Sequence, residues 1–421
     1  MTEPSDYYAR ISDDEVARAT RQIGIPQPLR NPEWNEVADR SAISHFAFGY
    51  GDDNPLWHDD AYAARTRWRG RIAPPTFVIS TGINETPPLA DDERDLFRGL
   101  FRGVGRYFAG ASWRFYRPIY AGQHVYQGGR EVVEVEERPS RLGGGRSVRD
   151  RFRIVYATAP GDVVVTRTET YVNAERGANR DSESTRRRER ARYTPEQIAA
   201  IDADYAAEDR RGAEPRFIED VRPGDALTPV VKGPLTVLDI IAMHMGIGFG
   251  LYGFGPSRYA WNLRRRAPAL YAEDEYGVPD SVQRIHWDEQ LAARLGHPAP
   301  FDYGQMRMCW LTHLLTNWMG DDAWLFAVDL EARGFNYVGD THWCRGEVTA
   351  VTIGDHGPQA EIAFRATNQE GEDTTTGTAV VLLPSREHGL GRFAVPPPDL
   401  ADRAVRIVAQ GSASNAEIAR A

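Results

Sequence analysis

The pattern of apolar and polar residues predicts that helices come first and strands second in each half of the chain. In the first half, residues 60–68 have helical spacing and residues 77–83 form an apolar stretch. Beyond residue 112, apolar and polar side chains alternate as in half-buried strands, at residues 113–119, 131–136, 148–157 and 163–172. Pro160, Gly161 and Asp162 supply a turn between the last two strands. These signals indicate a helical segment followed by an antiparallel meander.

The second half repeats this order. Residues 236–245 predict an apolar helix similar to residues 41–48, and residues 306–319 predict a long apolar helix. Strand patterns follow at residues 324–333, 343–353, 360–368 and 375–383. An insertion rich in glycine, arginine and tyrosine, residues 246–284, has no counterpart in the first half. Self-similarity on this scale indicates two packed units.

Charge marks the boundary between the two units. Charged side chains dominate residues 175–212, and Thr194 with Gln197 provides a capping box for a helix that reaches about residue 209. We therefore expect four segments. They are an amino-terminal domain (1–174), a charged linker with a short helix (175–214), a carboxyl-terminal domain (215–385) and a tail (386–421) that is a peripheral helix or partly disordered.

Composition limits the classes of function. The chain has 41% hydrophobic residues, and no apolar run approaches the roughly 18 residues of a membrane helix, so no membrane partner is expected. A net charge of −10 argues against general binding of nucleic acid, which depends on clustered cations. The two cysteines, Cys309 and Cys344, have no metal-ligand spacing. The polar amino terminus shows no secretory signal, and the cytoplasm is the expected location.

Two short stretches of the chain are similar to each other. Gly51-Asp52-Asp53-Asn54-Pro55-Leu56-Trp57-His58-Asp59 lies in the first half, and Ile285-His286-Trp287-Asp288 lies in the second. A carboxylate beside an imidazole suits acid–base chemistry on water, because the two pKa values bracket neutrality. Backbone N–H groups at the start of a helix can stabilise negative charge that develops on an oxygen of a substrate. The two stretches therefore predict a duplicated catalytic fold.

Residues 51–56 resemble the Gly-Asp-x-Asn-Pro-Leu-His signature of MaoC-like dehydratases and (R)-specific enoyl-CoA hydratases, and residues 73–77 look like the turn that enters that family's central helix. The resemblance implies an α+β double hot-dog fold, in which two antiparallel sheets each wrap a long central helix. Residues 76–83 and 305–319 would be these helices. It also implies a hydro-lyase for a 2-enoyl or 3-hydroxyacyl thioester of coenzyme A or an acyl carrier, without metal or redox cofactor, that forms a homo-oligomer, expected to be a dimer.

Both copies of the motif depart from the family signature. In the first copy, Trp57 occupies the position of the family's histidine and His58 lies one residue late. Pro75 stands where the family has a glycine at the helix entry, and proline has no N–H to donate. In the second copy, His286 falls on the histidine position and Gly304 follows it at the expected interval.

The aspartate of the second copy is missing. Ser281 stands at its position, and Asp280 is the neighbouring carboxylate. The predicted catalytic residues are therefore His286, Asp52, His58 and Asp280. The predicted substrate-binding residues are Gly304 as oxyanion donor, Tyr303, Asn54 and, for the phosphates of coenzyme A, Arg264 of the run 264–266. The glycine-rich stretch 246–250 is interpreted as a flexible wall over the acyl pocket.

Structural roles compete with these assignments. Asp52 and Asn54 could cap a turn, Tyr303 could fill the core, and residues 264–266 could be a solvated charge run. Asp59 and Asp288 are favoured as N-caps of the helices that follow. Two other functions stay open: a hot-dog thioesterase, and a non-catalytic subunit that stabilises an active partner.

Overall fold

The computed structural model describes residues 9–27, 35–84, 86–139, 145–175, 189–248, 255–295 and 297–418. Within these ranges the helices are α1 (Asp13–Arg21), α2 (Arg40–Gly49), α3 (Pro55–His58), α4 (Asp60–Ala63), α5 (Asp91–Phe97), α6 (Pro195–Ala206), α7 (Val237–Ile247), α8 (Arg258–Arg266), α9 (Glu289–Arg294), α10 (Gly304–Met319) and α11 (Pro398–Ile418). The strands are β1 (Pro26–Gln27), β2 (Gly105–Phe115), β3 (Tyr126–Gln127), β4 (Arg130–Pro139), β5 (Arg146–Ala159), β6 (Asp162–Ala174), β7 (Val230–Lys232), β8 (Tyr271–Glu273), β9 (Pro279–Ser281), β10 (Trp324–Ala332), β11 (His342–Gly354), β12 (Gly357–Asn368) and β13 (Asp373–Leu382).

One antiparallel sheet runs through both halves of the protein. Its strand order is β1-β4-β5-β6-β2-β10-β13-β12-β11-β7, and β3 attaches to β5. The halves join where β2 pairs with β10, with Ser112 opposite Asp329 and Ala111 opposite Leu330. The two expected sheets are therefore two parts of one continuous sheet.

The alternation of side chains explains which face of the sheet is buried. In β12, Ala360, Ile362, Phe364 and Ala366 are buried, while the residues between them are more exposed. Such a period of two places one face of a strand on the core. The strands predicted in both halves are present, although β2 begins earlier than expected, at Gly105.

Helix α10 is the central helix of the second half. Every residue from Gln305 to Met319 is buried, as expected for a helix surrounded on all sides by the rest of the protein. It packs on strands β10, β11 and β12 of its own half and on a 3₁₀ turn, Pro75–Ile79, of the first half. The predicted helix at residues 305–319 is confirmed.

The matching helix predicted at residues 76–83 is wrong. Only the 3₁₀ turn Pro75–Ile79 forms there, and Gly82 has a φ of 138°, which no helix accommodates. The hydroxyl of Thr81 and the N–H of Gly82 instead donate hydrogen bonds to the backbone oxygen of Asn35. The strands of the first half, β1 to β6, are called the first half-sheet below. The described residues therefore place no long helix on it at the position predicted for one.

Helices α2 and α7, which the sequence predicts as counterparts, pack against each other across the two halves. They approach closely at Gly49 and Gly246, where a Cβ atom on Gly49 would lie 2.9 Å from the oxygen of Ala242. Glycine therefore permits this crossing.

The linker and the tail each contain a helix. Thr194 and Gln197 form the predicted capping box at the start of α6, whereas residues 176–188 of the linker lie outside the described ranges. Helix α11 lays Leu400, Ala404 and Ile407 against the first half-sheet. In the part of the chain that the structure describes, no helix is long and apolar enough to cross a membrane.

Candidate active site

A cavity of about 1420 Å³ lies at the seam between the two halves. Strands β2, β5 and β6 contribute to one side of it, and β10, β13 and the start of α10 contribute to the other. His286 and Gly304, both predicted from the second motif, line this cavity. The fold thus brings together two residues that the sequence places eighteen positions apart.

His286 ends a 3₁₀ turn, Val282–His286. Its Nδ1 atom lies 2.7 Å from the backbone oxygen of Phe301. A carbonyl oxygen only accepts, so Nδ1 carries the proton and Nε2 keeps a free electron pair. Burial lowers the pKa of His286 to about 3. The imidazole is therefore neutral near pH 7 and can act as a base through Nε2.

The start of α10 offers hydrogen-bond donors. Among the residues that the structure describes, none accepts from the N–H groups of Gly304 and Gln305, while the N–H of Met306 bonds to the oxygen of Tyr303 at 2.9 Å. The first N–H groups of a helix have no partner within the helix, and the helix dipole favours negative charge beside them. These groups fit the predicted oxyanion donor.

Gly304 also lies against the first half-sheet. A Cβ atom at this position would collide with the Phe108 ring on β2. No side chain fits there unless the ring moves, so the close approach of β2 explains the glycine.

The predicted pair of Asp280 with His286 is not formed. The carboxylate of Asp280 accepts from the N–H of Ser281 at 2.6 Å, and Asp280 does not line the cavity. Ser281 caps the turn that carries His286 by accepting from the N–H of Gln283. Within the described ranges, no carboxylate forms an ion pair with His286. Ser281 thus caps the turn that carries His286, but Asp280 does not supply the carboxylate partner that was predicted for this histidine.

Tyr303 supports the ring of His286. The two ring centroids are 3.8 Å apart, and only 1% of Tyr303 is exposed. Its hydroxyl hydrogen-bonds to Nε2 of His244, whose pKa burial lowers to about 4. Tyr303 packs within the site and does not line the cavity, so its predicted contact with substrate stays a prediction.

In the first copy of the motif, the Asp52 carboxylate is buried and accepts several hydrogen bonds. Asp52 is 2% exposed, and its carboxylate accepts from the Tyr50 hydroxyl at 3.0 Å, the Trp57 Nε1–H at 3.0 Å and the Asn54 N–H at 3.1 Å. Trp57, which stands at the family's histidine position, thus donates a hydrogen bond to the carboxylate that was predicted to be catalytic. Asp52 does not line the cavity at the seam.

The other polar residues of this copy have structural partners. His58 Nε2 donates to the backbone oxygen of Asp52 at 2.8 Å, so the imidazole and the Asp52 carboxylate do not pair. Asn54 caps α3 by accepting from the N–H of Leu56. Asp59 and Asp288 cap α4 and α9, as predicted. The predicted catalytic pair of Asp52 and His58 is therefore not assembled.

Comparison with known proteins agrees with this architecture. Residues 22–167 match the family described as FAS1-like, dehydratase domain region. A UPF0336 protein from Thermobifida fusca (strain YX) is 36% identical over 96 residues, which are 22% of this chain and 59% of that protein. The chain thus spans less than two thirds of that curated relative's length.

Solved structures extend the likeness to most of the chain. A MaoC-like dehydratase covers 89% of this chain and all of its own, with a TM-score of 0.57 and 17% identity. A putative MaoC domain protein dehydratase from Chloroflexus aurantiacus J-10-fl covers 86% of this chain and 96% of its own, with a TM-score of 0.52 and 13% identity. The chain has the double hot-dog fold of MaoC-like dehydratases. The resemblance and the fold class predicted from the sequence are confirmed.

In this double hot-dog protein, a buried polar cluster that the sequence analysis missed joins the halves behind Asp52. The ammonium of Lys232 on β7 donates to the backbone oxygen of Tyr50 at 2.9 Å and to His313 Nδ1 at 3.0 Å. His313 Nε2 lies 3.7 Å from Asp52 Oδ1. Burial lowers the pKa of His313 to about 4 and also lowers that of Lys232. Lys232 is the only lysine of the chain and follows two valines, which is the one signal in the sequence.

Asp52, Asp53 and His313 bring three potential ligand atoms together. The Asp53 carboxylate already pairs with Arg210 at 2.5 Å, and this guanidinium opposes the binding of a divalent cation there. A positive charge next to the ligand atoms opposes binding of a second one.

Arg264 lies on α8, in the insertion of the second half. It does not line the cavity, but Pro268, Leu270 and Tyr271, which follow it closely, do. Arg264 therefore lies near the edge of the cavity in the sequence, and its binding of the phosphates of coenzyme A stays a prediction. Two residues of the predicted flexible wall, Phe249 and Gly250, lie outside the described ranges.

Proposed function

We propose that the protein is a hydro-lyase that adds water to a 2-enoyl thioester, or removes water from the corresponding 3-hydroxyacyl thioester, in the cavity at the seam. One observation carries the proposal: a neutral imidazole, His286, lines the same cavity as Gly304, whose N–H group at the start of α10 has no acceptor among the described residues. The double hot-dog fold of MaoC-like dehydratases supports it.

The reaction follows from these groups. The thioester oxygen accepts from the N–H groups of Gly304 and Gln305, where the charge of an enolate is stabilised. His286 Nε2 takes a proton from water as the water oxygen bonds to the β-carbon. The imidazolium then returns that proton to the α-carbon, which restores the neutral histidine and the carbonyl. A single imidazole can serve both steps, so the account does not need the missing carboxylate.

Coenzyme A is the proposed carrier, and an acyl carrier protein is the alternative. The cavity volume, about 1420 Å³, exceeds the size of typical small-molecule sites, about 300–1,000 Å³, and leaves space for a long or bulky acyl group. The cytoplasmic location and the homo-oligomeric state stay predictions.

A non-catalytic hot-dog subunit is the second candidate. Two observations favour it. The buried Asp52 carboxylate accepts a hydrogen bond from Trp57, and His286 has no carboxylate partner among the described residues. A thioesterase is less well supported, because the carboxylates on the cavity wall, Asp302, Asp329 and Glu331, pair with arginines and are not free to activate water.

A panel of enoyl thioesters of different chain length tests the proposal. We expect loss of the conjugated-enoyl absorbance and a mass gain of one water for at least one thioester. Absence of both for every thioester, with co-purification of a second hot-dog protein, would establish the subunit instead. Release of free thiol without hydration would establish the thioesterase.

A further inference from the structure

The wall of the cavity is positively charged, although the chain is acidic overall. The described residues that line it include eight arginines, Arg102, Arg106, Arg130, Arg138, Arg149, Arg151, Arg307 and Arg333, but only three acidic residues. The net charge of the whole chain is −10. Field lines concentrate in a cleft lined by one sign of charge, so this wall attracts anions.

Two of these arginines lie on the part of the first half-sheet that no central helix covers within the described ranges. Arg106 is fully paired: it makes a bidentate ion pair with Asp150, at 2.8 and 2.9 Å, and donates to Asn173 at 2.9 Å. Its guanidinium also lies over the Tyr171 ring. Arg106 is therefore held in place by its neighbours.

Arg130 is not paired in this way. Among the described residues, its nearest carboxylate, Asp150, is 3.8 Å away and already engaged by Arg106, and its buried Nε atom has no hydrogen-bond partner. The guanidinium stacks on Phe152, 3.4 Å from the ring centroid. Burial and the nearby Arg106 lower the pKa of Arg130 to about 10, so it is still a cation at neutral pH. A half-buried cation with unused donors is a binding group for an anion.

A continuous set of contacts connects Arg130 to the start of α10. Gly304 lies against Phe108, Phe108 meets Tyr171 edge to face at 5.8 Å, and Tyr171 stacks on Phe152 at 5.5 Å. Gln305 also donates to the Tyr171 hydroxyl at 3.4 Å. Arg130 and the oxyanion donors therefore lie on one wall of the cavity, with the three aromatic rings between them. An extended ligand can lie along these rings and contact both ends.

We infer that Arg130, with Arg106 beside it, forms a subsite for an anionic group carried by the substrate whose thioester lies at Gly304. This inference rests on the proposed function. The anion is either a carboxylate at the far end of the acyl chain or a phosphate of the carrier. Both match the planar donors of a guanidinium.

Binding of saturated thioesters tests the subsite without any turnover. The ligands are glutaryl and pentanoyl thioesters, each on coenzyme A and on N-acetylcysteamine, and their affinities are measured by calorimetry for wild type, Arg130→Gln and Arg130→Lys. Arg153→Gln is the matched control, because Arg153 lies on the neighbouring strand, pairs with Glu131 and does not line the cavity. Melting temperatures verify that each variant is folded.

We expect Arg130→Gln to weaken one class of ligand at least tenfold, while Arg130→Lys weakens it less and Arg153→Gln leaves it unchanged. Loss restricted to the glutaryl ligands on either carrier assigns the site to an acyl carboxylate. Loss restricted to the coenzyme A ligands assigns it to the carrier's phosphates. Equal affinities of wild type and Arg130→Gln for all four ligands would overturn the inference. Binding that depends on Arg130 in a protein that hydrates no enoyl thioester would leave the subsite standing and reject the proposed activity.

Discussion

Nδ1 of His286 lies 2.7 Å from the backbone oxygen of Phe301, and this contact fixes the tautomer of the histidine. With the proton on Nδ1, the basic electron pair is on Nε2. The Tyr303 ring, 3.8 Å away between centroids, holds the imidazole in this orientation. Position, tautomer and protonation state of the proposed base are thus all set by the protein before a substrate enters.

The pH dependence of activity follows from the lowered pKa of His286. Because its pKa is about 3, the neutral base is already fully present at every pH above about 4. We expect kcat/KM to stay within about twofold between pH 8 and pH 5.5, measured on the intact fold. A fall centred near pH 6.5 would show that a histidine with an ordinary pKa carries the reaction instead.

Gly304 allows the oxyanion donor to be tested directly. Alanine at this position collides with Phe108, so both substitutions are made in a Phe108→Ala background, which provides the space. Gly304→Ala keeps the N–H and should retain activity close to that of the background. Gly304→Pro removes the N–H and should lower kcat by about 10²-fold or more. Equal rates for the two double variants would remove Gly304 from the mechanism.

Asp52 is predicted to act on stability and not on catalysis. Asp52→Asn places an amide where the carboxylate accepts from Tyr50 and Trp57, and it removes the negative charge near Lys232. We expect a loss of about 2 kcal/mol in the free energy of unfolding, from urea denaturation, with kcat within about threefold of wild type. If kcat collapses while the unfolding free energy is unchanged, the first copy of the motif is the active one.

Three of the buried histidines, those with a lowered pKa, should make the protein sensitive to acid. The pKa values of His244, His286 and His313 are lowered to about 4, 3 and 4, so the unfolded chain binds protons that the folded protein excludes. Their contribution to stability is present above the unfolded pKa, near 6.5, and is lost as the pH falls below it. We expect each to remove roughly 1 to 2 kcal/mol between pH 7 and pH 5.

Urea denaturation at the two pH values measures this loss, and His244→Phe provides the control. The variant should lose about one histidine's share less than wild type between pH 7 and pH 5. An unfolding free energy that is the same at both pH values would contradict the burial of these imidazoles in neutral form.

Sequence spacing predicts the placement of His286 beside Gly304 better than that of His58 beside the Asp52 carboxylate. The interval between His286 and Gly304 is sufficient to place both on one cavity, because a turn and a helix start are local structures. The fate of Asp52 depends on Trp57, whose departure from the signature is visible in the sequence, and on Lys232 and His313, which are not. These two residues reach Asp52 only through the packing of β7 and α10 against the first half.

The missing central helix shows a second limit of the sequence pattern. Residues 76–83 have the apolar character of a buried helix, yet Gly82 and the hydrogen bonds to Asn35 turn the chain away. Apolar spacing alone does not distinguish a short buried turn from a helix. Arg130 shows a similar limit. Its sequence neighbourhood predicts only a strand residue, and its place in the cavity wall is visible only in the fold.

The central claim is that water adds to an enoyl thioester at His286, in the second half of the protein. Its most direct test is the hydration rate of wild type, His286→Ala and His58→Ala, followed by loss of the conjugated-enoyl absorbance, with circular dichroism as the check on folding. We predict that His286→Ala lowers kcat by about 10²-fold or more, because a general base is lost, and that His58→Ala changes it less than about threefold. Full activity in a folded His286→Ala protein would contradict the account.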